Sequence, residues 1–129
     1  MSASIPSGNS AVLASAAGLA RTPRPPYYAV IFTSRRTSGD ERGYGVAAQR
    51  MVDLGSRYEG FLGLESARGA DGVGITVSYW RDEAAILAWK RDTEHEKAQR
   101  AGRDAWYDAY EVRIASVERA YGFARGQGA

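Results

Sequence analysis

The chain holds one histidine, His95, and no cysteine. His95 is therefore the one side chain whose ordinary pKa lies near neutrality. It falls near the start of a segment with helical spacing. On a helix, His95, Gln99, Gly102 and Trp106 recur every three or four residues and share a face, with Arg103 beside it. Trp80 and Trp89 precede the segment closely in sequence. Together these residues describe an aromatic pocket with one base and one cation: catalytic candidates His95 and Arg103, substrate-binding candidates Trp80, Trp89, Gln99 and Trp106. Each has a plainer reading. A lone helical histidine also fits the surface or a satisfied structural position. Trp80 and Trp89 fit a core. Trp106 and Tyr107 fit a core or dimer anchor. Glu65 and Ser66 point into a barrel or face water, and Arg113 with Glu118 and Arg119 fits cross-strand charge pairing.

The elements that must hold these residues follow from patterning. Tyr27–Arg35 is rich in β-branched and aromatic residues and predicts a strand. Thr37–Gly43 is a polar turn cluster. Ala47, Met51, Leu54 and Tyr58 form an apolar stripe over Tyr44–Tyr58, which predicts a helix closed near Gly60. Phe61–Arg68 and Val73–Trp80 predict strands joined by a Gly69–Gly72 hairpin. Asp82 fits the N-cap of a helix beginning at Glu83, with Ile86, Leu87 and Trp89 as its apolar face. Thr93 to Glu96 fits a capping box, so the helical pattern breaks near Asp92 and restarts from Glu94 to about Tyr107. Tyr110–Gly122 predicts the last strand. The order β-α-β-β-α-β is that of an α+β ferredoxin-like fold: an antiparallel sheet with helices on one face. The other face then needs a second layer, which a homodimer would supply.

Composition bounds the function. With 129 residues the chain is the size of one domain. A hydrophobic fraction of 44% with 25% charged residues excludes global disorder. The lack of cysteine excludes disulfides, thiolate zinc sites and iron–sulfur clusters. No apolar run is long enough for a membrane helix. The formal charge of +2 comes from the first 26 residues, which hold Arg21, Arg24, all four prolines and no acid. The remainder carries 15 basic and 15 acidic residues. A neutral body without a basic stripe argues against nucleic-acid binding. Gly69, Gly72 and Gly74 lie in a hairpin, the wrong context for dinucleotide phosphates, and no nucleophile elbow appears. Residues 1–26 are expected to form a Ser/Ala/Pro-rich extension: a loosely docked segment, an ordered arm or a targeting piece. No basic residue precedes the small-residue run Ala11–Ala20, unlike a secretory signal. The expected location is cytoplasmic.

A resemblance attaches to particular residues. They are Gly60-Phe61-Leu62-Gly63 with Glu65-Ser66, then Gly74-Ile75-Thr76-Val77-Ser78-Tyr79-Trp80, then Asp82-Glu83-Ala84-Ala85. Trp89-Lys90, Glu94-His95, Ala98-Gln99, Gly102-Arg103, Trp106-Tyr107 and Tyr110-Glu111-Val112-Arg113 continue it. On these the chain resembles the antibiotic biosynthesis monooxygenase family of the dimeric α/β-barrel superfamily, over about 27–123, leaving 124–129 as a short tail. The resemblance implies a dimer whose two sheets form a barrel, with a pocket between each sheet and its own helices. It also implies cofactor-free oxidation by O2 of a small phenolic or anthrone-type substrate, which supplies the electrons once deprotonated. Such chemistry asks for a base, a donor for the substrate oxyanion and a water-poor pocket. In that scheme His95 would be the base, Arg103 or Gln99 the oxyanion partner, and Trp89 and Trp106 the walls. Two alternatives stand beside it. Haem-degrading relatives imply an axial histidine ten residues after Trp89, where this chain has Gln99, a poor substitute for imidazole. A non-catalytic small-molecule-binding dimer is the other, since fold does not imply function.

Overall fold

The computed structural model describes residues 18–126, with the side chains of Thr93 and Glu94 also outside the description. The part of the expected extension in residues 1–17 therefore lies outside the described residues. Strand β1 (Tyr27–Arg36) leads to helix α1 (Glu41–Gly55), strands β2 (Phe61–Arg68) and β3 (Val73–Trp80), and helices α2 (Glu83–Lys90) and α3 (Thr93–Ala101). A π-helical turn (Gly102–Trp106) then delivers strand β4 (Tyr107–Val117). The sheet order is β2-β3-β1-β4, with every described pairing antiparallel. This is the expected ferredoxin-like arrangement. β2 and β4 are its edges.

Side-chain alternation divides the sheet into two faces. Tyr28, Val30, Phe32 and Ser34 lie opposite Trp80, Ser78, Thr76 and Gly74, and these point toward the helices. The core gathers at one end of that face. Trp80, Ala85 and Ile86 are buried there, with Tyr28, Val30, Tyr58, Phe61 and Trp89 packed against them. The far face carries Tyr27, Ala29, Tyr79 and Glu65. Residues 18–26 cross one corner of it: the Ala20 amide donates to Glu65 Oε2 at 3.0 Å, and Thr22 Oγ1 lies 2.8 Å from the Tyr27 hydroxyl. Tyr79 donates to Glu65 Oε1 at 2.6 Å, and burial together with that carboxylate pushes the phenol pKa up.

Several boundaries differ from the patterning, each for a local reason. α1 starts three residues before Tyr44 because Asp40 caps it, its Oδ1 accepting from the Gly43 amide at 3.1 Å. Asp40 adopts the left-handed region (φ 46°), which aspartate tolerates better than most residues. The helix ends at Gly55, whose bare Cα lies against Trp89; an added Cβ would be 3.4 Å from the indole. Tyr58 keeps its core contact from the following turn. Asp82 caps α2 as expected, accepting from Ala85 N at 2.9 Å. The carboxylate that caps α3 belongs to Asp92, which accepts from the His95 amide at 3.3 Å.

The largest difference lies after Ala101. Helix was expected through Tyr107, and the last strand from Tyr110 to Gly122. Instead the helix loosens at Gly102 and β4 runs Tyr107–Val117. The cause is at Trp106. Its carbonyl accepts from Arg36 Nη1 at 2.7 Å and from the Thr37 amide at 2.9 Å, which draws the chain onto β1. Gly102 makes room: a Cβ there would meet the Tyr107 ring at 2.9 Å.

Candidate functional site

The six residues expected to form one pocket divide between the two ends of the sheet. Trp80, Trp89 and His95 occupy the end at Tyr28. Trp106 and Arg103 occupy the end at Arg36. Tyr28 and Arg36 are eight residues apart on β1, roughly 25 Å at the rise of a strand. Gln99 lies between, half-buried on α3, one turn after His95. The expected shared face assumed unbroken α-helical spacing, and the turn at Gly102–Trp106 ends that spacing before Trp106.

At the first end, the rings stack in sequence. Trp80 and Trp89 are 6.3 Å apart at 24°, and Trp89 and His95 are 4.2 Å apart at 13°. Tyr58 meets Trp89 edge-on at 5.3 Å, and its hydroxyl donates a short hydrogen bond to Asp92. His95 Nδ1 lies 3.0 Å from the Trp89 carbonyl. A carbonyl only accepts, so Nδ1 carries the proton and Nε2 keeps its lone pair. Burial holds the His95 pKa below its usual 6.5, partly opposed by the Trp89 hydrogen bond and by Asp92 and Glu96.

That shift has a sign in stability. The folded state disfavours the protonated ring, so below about pH 6.5 the unfolded chain takes up protons first. The contribution is complete above that pH and is lost as pH falls through the folded value. Urea unfolding across pH 5 to 8 should therefore show a loss of stability on the acid side that is smaller in His95→Gln. Equal acid slopes in the two proteins would contradict it.

The second end is richer in phenols and cations. Phe32, Tyr107 and Tyr110 form a cluster, with centroids at 5.4 Å and 5.3 Å from Phe32. Tyr44 meets Tyr107 at 5.8 Å and Trp106 at 6.0 Å, both nearly edge-on. Trp106 Nε1 donates to Asp40 Oδ2 at 3.2 Å. Arg103 is exposed and donates from Nη1 to the Tyr110 hydroxyl at 3.2 Å. Burial drives the Tyr107 phenol pKa far up, so it remains a neutral hydroxyl. Beyond Tyr110 on the same face of β4, Val112 and Ile114 remain 47% and 53% exposed. The helices leave this strip of sheet uncovered, beside the aromatic cluster and Arg103.

Sequence reasoning missed two arginines at this end. Arg36 packs over the Tyr44 ring at 3.9 Å, and Arg68 approaches the same ring at 5.8 Å. Arg36, at the end of β1, and Arg68, just before the hairpin, come together once β3 is placed between their strands. The signal was available in alternation. Both fall on the helix-facing side at the same sheet end, where an apolar residue would be ordinary.

A βαββαβ chain with an antiparallel β2-β3-β1-β4 sheet defines a ferredoxin-like fold. Residues 27–101 match the model of the antibiotic biosynthesis monooxygenase family, and the chain belongs to that family. It is 54% identical over 101 residues to the uncharacterized protein YqjZ of Bacillus subtilis (strain 168), covering 78% of this chain and 88% of that one. It is 27% identical over 92 residues to the jasmonate monooxygenase ABM of Pyricularia oryzae, covering 70% of this chain and 43% of that longer protein. Among solved structures it resembles SnoaB, a cofactor-independent oxygenase from Streptomyces nogalater. The TM-score is 0.64 at 13% identity, over 74% of this chain and 97% of SnoaB. A putative antibiotic biosynthesis monooxygenase from Nitrosomonas europaea gives 0.61 at 12% identity, over 79% and 94%. At such identities the structural likeness speaks for the fold alone. Among the described residues, no helix is long and apolar enough to cross a membrane.

Proposed function

We propose that this protein is a cofactor-independent monooxygenase acting on a small phenolic or anthrone-type molecule. The substrate would lie on the helix side of β4. The observation that carries the reading is the exposed strip Val112–Ile114 beside Phe32, Tyr107 and Tyr110, with the Arg103 guanidinium at its end. An apolar strip takes the ring system, and the cation meets the charge that develops on its oxygen. The substrate's acidic carbon gives up its proton to solvent, which the exposed strip admits, leaving an enolate. That carbon bonds to O2, forming a hydroperoxide that loses water to leave a carbonyl. One O2 is consumed, two electrons come from each carbon–hydrogen bond broken, and one water leaves. Family membership supports the reaction class. We propose in addition that a second copy covers the far face, where Ile75 is 48% exposed, and closes the barrel.

His95 in this reading positions Trp89, on which it stacks. The haem alternative has weaker support, because Gln99 stands at the implied ligand position and an amide is a poor axial ligand.

The test is O2 uptake with a quinol and anthrone panel, on material whose sedimented mass is established. Two chains per particle are expected, and a stable monomer removes the barrel. Arg103→Gln should lower kcat/KM about tenfold to a hundredfold, by the scale of one lost oxyanion donor in a solvent-exposed place. Ile114→Asp should remove turnover while keeping the fold. If His95→Gln abolishes uptake and Arg103→Gln does not, His95 is the base and the site belongs at the Trp80 end. No uptake by the wild type with any member leaves the non-catalytic binding protein.

A further inference from the structure

A separate cavity of about 480 Å³ opens at the Arg36 end, on the other side of Tyr44 from the Tyr107–Tyr110 cluster. Its volume falls within the range of small-molecule pockets. Arg36, Arg68 and Tyr44 line it, together with the Gly69–Gly72 hairpin, Glu41 and Asp71.

The two arginines differ in how their charge is met. The Arg36 side chain is 4% exposed and pairs with Glu41 at 3.2 Å. Arg68 makes four hydrogen bonds, all to uncharged oxygens: the carbonyls of Gly72 and Ser34, the Ser34 hydroxyl at 2.8 Å and the Tyr44 hydroxyl at 3.4 Å. It has no ion pair among the described residues. Gly74 lets the guanidinium lie flat across β3, since a Cβ there would be 2.7 Å from Cζ. Arg68 is thus oriented by neutral acceptors, with its charge left uncompensated close to a second cation.

The carboxylates stand at the mouth. Glu41 is 77% exposed on its side chain, and Asp71 is exposed with Oδ1 accepting the Val73 amide at 3.1 Å. One incoming negative charge can take the place Glu41 holds beside Arg36 and also answer Arg68. A dianion would face both rim carboxylates at once. Tyr44 is buried at the base of the site, with both guanidinium groups against its ring.

We infer that this cavity is a binding site for a small monocarboxylate, held by Arg68 and Arg36 and released in competition with Glu41. Calorimetric titration of the full chain with benzoate tests it, using benzamide as the uncharged isostere and inorganic phosphate as the dianion. Benzoate should bind at least about tenfold more tightly than benzamide, the lower end expected for hydrogen bonds to a charged group. Phosphate should bind more weakly than benzoate. Glu41→Gln should tighten benzoate severalfold by removing the internal competitor. Arg68→Gln should erase the preference over benzamide, and Arg68→Lys should restore part of it. Equal binding of benzoate and benzamide, no heat with benzoate, phosphate as strong as benzoate, or a Glu41→Gln protein with unchanged affinity would each overturn the site. These titrations need no turnover, so their outcome is independent of the O2-uptake result.

Discussion

Replacing Trp80 by alanine should destabilise the protein by about 3–5 kcal/mol, the range for deleting a buried tryptophan. Trp80 is 1% exposed and is the largest fully buried side chain among the described residues. It meets Phe61 edge-on at 5.3 Å, stacks on Trp89 and donates from Nε1 to Ser78 Oγ at 2.9 Å. It also ties the Tyr28 end of the sheet to α2. Truncation leaves a cavity walled by rings that collapse poorly, and it removes the surface on which Trp89, and through it His95, is stacked. Small domains are stable by about 5–15 kcal/mol, so this one change removes a large share. Urea unfolding followed by circular dichroism should show a lower midpoint with an unchanged slope. Trp80→Phe should recover more than half of the loss. A Trp80→Ala midpoint close to the wild type would mean that the core lies elsewhere.

Arg36→Met should cost about 2–3 kcal/mol by a different route. Methionine fills the buried stem but leaves the Trp106 and Gly39 carbonyls without the guanidinium that donates to them. Hydrogen bonds from charged donors to such groups are worth about 1.5–3 kcal/mol each, and water recovers part of the loss at the Gly39 end. The Glu41 partner adds little, because its carboxylate is mostly solvated. Amide exchange offers a second readout. Thr37 and Tyr107 should lose protection while the Trp80 end keeps it, since the anchored element is the turn before β4. Uniform loss of protection would point to a global effect instead.

These two residues also mark what could be read from sequence. Trp80 lies in a strand whose alternation was plain, and the cap at Asp82 follows from residue type alone. The element order and the antiparallel sheet were therefore legible. The ends of elements were less so. Asp40 caps α1 from a left-handed conformation that no apolar pattern records. The Thr93–Glu96 motif suggested a capping box, while the preceding Asp92 supplies the capping carboxylate. β4 starts at Tyr107 because Arg36 captures the Trp106 carbonyl, and that interaction spans 70 residues.

The candidate site was harder still. Helical spacing placed His95, Gln99, Gly102 and Trp106 on one line, and a single π-helical turn separates Trp106 from it. His95 stands out in sequence because it is alone, yet the fold leaves it half-buried with one face stacked on Trp89. Arg36 and Arg68 look unremarkable in the chain because each is one arginine in a list of many. Their pairing exists only after β1, β3 and β2 are laid side by side, and lateral order in a sheet is not a local property of sequence.

β4 has one further consequence. As an outer strand it pairs only with β1 among the described residues, so on its other side every second residue turns its amide and carbonyl toward solvent. Such an edge is a template for adding further strands. Asp108, Glu111 and Arg113 project from it into solvent, and charges of this kind act as gatekeepers against edge-to-edge growth. The strand that offers the open apolar strip is thus also an open edge of the sheet, with charges set among its apolar residues.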